Sequence, residues 1–131
     1  MNRHDEMLWS GLRITLAVLI AAHGWARLLN DAVAPFGSWL DGQGLLIGQM
    51  IAWAVTLYEI AGSTLLAARR VVFPLCLGFV AIYLAGLFLV HLPEGWFVVG
   101  LGRNGMEYSV LLVSALLCIG LHERKRRAEH G

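Results

Sequence analysis

A run of twenty residues without a charged side chain, Val71–Val90, is the feature that most limits how this chain folds. As a helix it is about 30 Å long at roughly 1.5 Å per residue, which matches the hydrocarbon thickness of a bilayer. It also lacks the polar stripe at every third or fourth position that a helix of a soluble domain carries. The run therefore predicts a transmembrane helix.

Three weaker apolar stretches extend this prediction to four spans. The spans are expected at about residues 8–29, 45–68, 71–91 and 106–121, with a basic tail over residues 122–131. The chain has 131 residues, of which 58% are hydrophobic, and four spans of about 20 residues leave room only for short connections. We therefore predict an all-α, membrane-embedded four-helix bundle that forms a single domain and includes no soluble catalytic domain.

Charge is distributed unevenly along the chain. Basic residues precede the first span, lie in the connection between the second and third spans, and follow the fourth span as Arg124–Arg127. Because cytoplasmic segments hold the excess of Lys and Arg, both termini are predicted to be cytoplasmic. This topology explains the basic tail without nucleic acid, so we expect no nucleic-acid partner. Acidic Asp5 and Glu6 argue against a cleaved signal peptide, so we expect the first apolar stretch to remain as a span.

Five ionisable side chains fall within these spans or at their ends, where each costs on the order of 2.5–3.5 kcal/mol at the helix centre unless it has a partner or a purpose. They are Arg13, His23 and Arg27 of the first span, Glu59 of the second and Glu107 at the start of the fourth. At about 100° per residue the three bases lie on one side of the first helix. We predict that the five form a polar core. Three interpretations stay open: a ligand or proton site, structural ion pairs alone, or side chains that only extend to the membrane interface.

Depth along the helices predicts an ion pair at the outer end of this core. Arg27 and Glu107 both lie roughly 10 Å outside the midplane, so we expect them to pair. Arg103 is the alternative partner of Glu107, four residues before it in the sequence. We prefer Arg27, because a base that precedes an acid at this spacing is the poorer orientation on a helix.

The remaining core residues are expected to meet nearer the midplane. Glu59 is predicted to contact the long side chain of Arg13 or the ring of His23. Two guanidinium groups then balance two carboxylates, so the protonation of His23 would set the charge of the core. The sequence has no zinc-binding spacing, nucleotide-binding loop or nucleophile elbow, and we expect no metal site.

Three short elements resemble the DoxX family of small four-helix bacterial membrane proteins. The elements are Ala22-His23-Gly24-Trp25-Ala26-Arg27-Leu28, Tyr58-Glu59-Ile60-Ala61-Gly62-Ser63-Thr64-Leu65-Leu66 and Gly105-Met106-Glu107-Tyr108. They resemble the family's His-Gly-x-x-Lys element, its Glu before a Gly-rich aliphatic segment, and its Glu at the start of the last span. The resemblance extends over about residues 10–121. Arg27 stands where the family usually has Lys, and the family's Gly-Pro-Gly near the end of the last span is absent.

The resemblance implies a multi-pass protein of the bacterial inner membrane with a redox association, since the family is named for membrane subunits of a thiosulfate:quinone oxidoreductase. The positions that match the family pattern are His23, Arg27, Glu59 and Glu107. Three functions stay open: a subunit or anchor of a quinone-linked oxidoreductase system, an assembly partner without its own activity, and a small anion transporter.

The expected cofactor and partners follow from the same reasoning. Quinone is the cofactor that we consider, and the expected partners are the lipid bilayer and a soluble or peripheral redox protein. A homo-oligomer is left open. Because the sequence has no flavin, haem or iron–sulfur motif, we do not expect the isolated chain to be catalytic.

Overall fold

The computed structural model describes residues 3–100 and 103–130, and every regular element within them is helical. The helices are α1 (Arg3–Leu29), α2 (Val33–Gly42), α3 (Gly48–Ala67), α4 (Val72–Gly86) and α5 (Glu107–His130). They form two compact units that divide between Arg70 and Val71, with α1 to α3 in the first and α4 and α5 in the second. The all-α prediction is confirmed for the described residues.

Three helices in the described part are long and apolar enough to cross a membrane: Arg3–Leu29, Gly48–Ala67 and Val72–Glu94. Between 28% and 33% of the most apolar window of each helix is buried, so most of each window is not buried within the structure. The uncharged stretch of α5, residues 108–122, has fifteen residues and spans about 22 Å, against roughly 30 Å for the hydrocarbon layer. A fourth crossing by α5 stays a prediction.

The first unit is organised around α3, against which both α1 and α2 pack. Asp5 and Glu6 lie in the first turn of α1, where the positive end of the helix dipole favours carboxylates. The helix ends where the Asn30 side-chain amide donates to the Ala26 carbonyl over 2.7 Å. Asp31 follows with a φ of 53°, a left-handed conformation that stops the helix.

Helix α2 lies in the connection between the first two predicted spans, where Pro35 and Gly37 are typical of a loop. The structure shows a helix there instead. Pro35 is the third residue of the helix, where its missing N–H removes no internal hydrogen bond. A Cβ atom on Gly37 would meet the Gln49 side chain at 2.5 Å, so the glycine permits close packing on α3. Apolar Val33 and Leu40 are buried on this side of α2.

In the second unit, α4 and α5 pack closely at Gly120, where a Cβ atom would lie 3.0 Å from the Cβ of Cys76. Helix α4 continues as a π-helical turn, Leu87–His91, and a short 3-10 turn, Leu92–Glu94. The described helical segment, Val72–Glu94, therefore ends three residues beyond the predicted end of the third span. Helix α5 runs without interruption through most of the basic tail, so the tail bases occupy fixed positions on a helix.

Candidate functional site

A buried ion pair between α1 and α3 is the centre of the candidate site. Arg27 Nη1 lies 2.8 Å from Glu59 Oε2, and the side chains are 19% and 2% exposed. The same nitrogen donates to the Thr56 hydroxyl over 3.0 Å. The carboxylate is thus enclosed, whereas part of the guanidinium reaches the surface of the helix pair.

Gly24 allows the two helices to approach closely enough for this pair to form. A Cβ atom at Gly24 would lie 2.9 Å from Ile60 Cγ1, 3.0 Å from Glu59 Cβ and 3.1 Å from the Thr56 carbonyl oxygen. Each distance is shorter than an ordinary contact, so only glycine fits here without displacement. The short His23-Gly24 element therefore has a structural reason: its glycine is the crossing point of α1 and α3, one turn before Arg27.

Two further side chains hold the Arg27 guanidinium in place. The Thr56 hydroxyl donates to the Ala52 carbonyl over 2.7 Å, which directs its lone pairs toward Arg27. The Phe36 ring of α2 lies 4.8 Å from the guanidinium carbon, a cation–π distance. The sequence reasoning missed Phe36, because it treated this segment as a loop and assigned it no contact.

Arg27 bonds to Glu59, a pair that backbone depth does not predict. The predicted pair of Arg27 with Glu107 would join the two units and stays a prediction. The prediction compared backbone depths alone. An arginine side chain has a long stem that reaches along the helix axis, so it bonds to a carboxylate whose backbone lies at another depth. Gly24 makes the approach of Glu59 closer still.

Glu107 instead stabilises the connection between α4 and α5. Its Oε1 accepts hydrogen bonds from the backbone N–H groups of Val98 and Val99 over 2.9 and 3.1 Å. The Glu107 N–H donates to the Trp96 carbonyl over 3.0 Å. A cavity of about 290 Å³ lies in this connection and is lined by Glu94, Gly95, Trp96, Phe97 and Arg103.

Arg13 binds the C-terminal end of α3. Its Nη1 donates to the Leu66 carbonyl over 2.6 Å and also to the Ala67 carbonyl, and the residue is 7% exposed. Neither carbonyl accepts a hydrogen bond from a residue of α3, although that of Leu66 also accepts from the Arg69 N–H of the following turn over 3.1 Å, and both carry the negative end of the helix dipole. Backbone carbonyls at a helix end attract a guanidinium as a carboxylate does, so this contact gives Arg13 a partner that the sequence prediction did not consider.

Replacing Arg13 with Met is expected to lower the free energy of unfolding by about 2–3 kcal/mol, because two charge-assisted hydrogen bonds at a buried helix end are lost. The measurement is SDS-induced unfolding of the full chain in mixed micelles. Arg70→Met is the control, since Arg70 is exposed on the turn after α3 and its loss is expected to cost less than about 0.5 kcal/mol. Equal effects of the two substitutions would contradict the capping role.

His23 is exposed on α1, one helical turn before Arg27. The predicted polar core placed it inside, whereas the structure leaves the residue exposed. In the candidate site, Arg27 and Glu59 are therefore in direct contact with each other, and His23 is exposed at the adjacent surface. Arg13 and Glu107 have separate structural contacts.

This arrangement can bind a ligand that offers hydrogen-bond acceptors next to an apolar body. The buried pair is neutral as a whole, and one guanidinium nitrogen is occupied by Thr56 and Glu59. A guanidinium has five N–H donors, so its exposed part retains donors directed away from the pair. His23 adds a second donor or acceptor on the same helix.

The DoxX family model matches residues 8–92 of this chain. The match contains Arg13, His23, Arg27 and Glu59 and ends before Glu107. No curated protein and no solved structure matches the sequence.

Proposed function

The chain belongs to the DoxX family, and we propose that it serves as a membrane subunit of a quinone-linked redox system. The observation that carries the proposal is the enclosed Glu59 carboxylate, 2.8 Å from a partly exposed Arg27 guanidinium and close along α1 to the exposed ring of His23. A quinone head group has two carbonyl oxygens on an apolar ring. It needs hydrogen-bond donors that lie beside an apolar surface.

The proposed chemistry divides protons and electrons between two proteins. Reduction of a quinone to a quinol takes up two electrons and two protons. A soluble or peripheral redox partner would supply the electrons, and the exposed His23 would pass the two protons in turn from water to the quinone oxygens. Arg27 would orient the head group.

The proposed setting is the bacterial inner membrane, crossed four times by a helical bundle with both termini in the cytoplasm. Support comes from the distribution of bases along the chain and from the three described helices that are long and apolar enough to cross. In this topology the redox partner would bind on either side of the membrane. A homo-oligomer of the chain is also compatible with the site.

An anion-transport function is less well supported by the same contacts. It requires uncompensated positive charge along α1. Arg27 is neutralised by Glu59, and Arg13 is directed to the backbone carbonyls of α3. An assembly role without a ligand is the outcome that a negative binding experiment would favour.

The test is a titration of the purified full chain in mild detergent with a short-chain quinone. Binding is monitored by the quenching of the protein's tryptophan fluorescence. Saturable quenching is expected, and His23→Gln should weaken binding about tenfold, which corresponds to the loss of one hydrogen bond. His4→Gln is the matched control, because His4 is an exposed histidine of the same helix. Absence of saturable binding, or equal effects of the two substitutions, would overturn the proposal.

A further inference from the structure

The cytoplasmic half of α5 has an exposed face on which apolar and basic side chains follow one another along the axis. We define this lipid face by Leu117, Leu121, Arg124 and Lys125. We propose that it binds one anionic phospholipid, with the phosphate of the head group at the two bases and an acyl chain along the two leucines. The inference does not depend on the proposed quinone role. It rests on α5 crossing the membrane.

Helical spacing places the four residues of the lipid face on one side. Leu121 follows Leu117 by four positions, and Arg124 and Lys125 follow Leu121 by three and four positions, so the four side chains lie within an arc of about 100° on one side of the helix. Leu117 is 39% exposed and Leu121 is 56% exposed, and the Lys125 side chain is 80% exposed. The face is therefore open, and its polarity changes from apolar to basic within one turn.

The four consecutive bases of α5 are not equivalent, and two of them are occupied by Glu123. Arg126 binds this buried carboxylate with two nitrogens, over 2.6 and 3.3 Å. Arg127 Nε lies 3.9 Å from the same group. The charge available to a ligand is therefore concentrated on Arg124 and Lys125.

Arg124 is held at a fixed position by α4, the other helix of its unit. Its guanidinium carbon lies 5.1 Å from the Phe73 ring of α4, and this contact leaves the edge of the guanidinium, with its N–H donors, for a phosphate. Lys125 is 3.9 Å from Glu129, and both side chains are more than half exposed. Such a surface pair contributes little stability, so a phosphate can displace Glu129 at low cost.

The position of the bases favours a lipid over a soluble polyanion. The uncharged stretch of α5 is about 22 Å long and shorter than the hydrocarbon layer, so flanking bases are drawn to the level of the head groups. A nucleic acid or an acidic protein would use the bases but not the exposed leucines next to them. An anionic phospholipid uses both.

Cys118 provides a reporter for this lipid within the full chain. It is exposed, whereas Cys76 is buried, so a bimane probe can be attached to Cys118 in a Cys76→Ala background. The labelled protein is reconstituted in phosphatidylcholine vesicles that contain a small fraction of brominated phosphatidylglycerol or brominated phosphatidylcholine. Bromine quenches the probe when an acyl chain lies beside it.

We expect brominated phosphatidylglycerol to quench at a lower mole fraction than brominated phosphatidylcholine. Each of Arg124→Gln and Lys125→Gln should reduce this preference about fivefold, since one base near a membrane surface contributes about that factor. Arg3→Gln is the charge-matched control, because Arg3 is exposed in α1, and its effect should be less than about twofold. If the Arg124 variant loses helicity, the highly exposed Lys125 variant gives the result alone.

Three outcomes would overturn the proposal. The first is equal quenching by the two brominated lipids, which would leave a protein or nucleic-acid partner as the occupant of the bases. The second is an equal effect of Arg3→Gln, which would indicate general attraction without a site. The third is loss of the preference in inorganic phosphate but not in sodium chloride of equal ionic strength, which would indicate a soluble anion as the ligand.

Discussion

Replacing Arg27 with Met is expected to lower the free energy of unfolding by about 3–5 kcal/mol, because the change leaves Glu59 charged and enclosed without its partner. Glu59 is 2% exposed at its side chain, so lipid and water cannot replace the guanidinium without opening the contact between α1 and α3. The Thr56 hydroxyl also loses the hydrogen bond that it accepts from Arg27 Nη1 over 3.0 Å. The measurement is SDS-induced unfolding in mixed micelles, followed by circular dichroism.

The double variant Arg27→Met/Glu59→Met separates the cost of a lone charge from the value of the pair. When both charges are removed and the volume is kept, the stability should return to within about 1–2 kcal/mol of the original, since a buried pair is often replaceable by apolar residues. Quinone binding should stay lost in the double variant if the pair belongs to the ligand site. A double variant as unstable as the single one would show that Glu59 is not the reason for the loss.

Replacing Gly24 with Leu is expected to cost about 3 kcal/mol, at the upper end of what overpacking costs. The new Cβ would lie 2.9 Å from Ile60 and 3.1 Å from the carbonyl oxygen of Thr56. A backbone carbonyl cannot rotate away as a side chain does, so the two helices must separate. The separation would also lengthen the bond between Arg27 and Glu59, and quinone binding should weaken together with stability.

Gly11→Leu is the matched control for this prediction. Gly11 lies on the same helix, and a Cβ atom there meets nothing within 4 Å. The same substitution should therefore change the free energy of unfolding by less than about 1 kcal/mol, and with a favourable sign, because leucine has the better helix propensity. Similar losses at both positions would mean that helix propensity, and not the crossing of α1 and α3, governs the effect.

Part of the candidate site could be predicted from the sequence. Arg27 and Glu59 stand out in it, because a charge in an apolar span is costly and therefore needs a partner. The choice of partner could not be predicted: the sequence paired Arg27 with Glu107, whereas the structure shows a bond between Arg27 and Glu59. The predicted contact of Glu59 with Arg13 or His23 stays a prediction. Backbone depth says how far along a helix a residue lies, but not how far its side chain extends or which side of the helix it is on.

Helix α2 shows the same difference at the level of the fold. Pro35 and Gly37 are typical of a loop when read locally. In the structure both serve a helix, since the proline lies in the first turn and the glycine lies against Gln49. A short helix of this kind is stable only because α3 provides the surface on which it packs. That surface belongs to residues that follow it in the sequence.

The sequence by itself determined the helical class, the family and the small set of residues whose charge requires an explanation. These depend on local hydropathy, on helical period and on short motifs, all of which can be read along the chain. The tertiary structure alone decided which charges meet. That outcome depends on where a missing side chain, as at Gly24, lets two helix backbones touch, and on which donors or carbonyls then lie within reach of a long side chain.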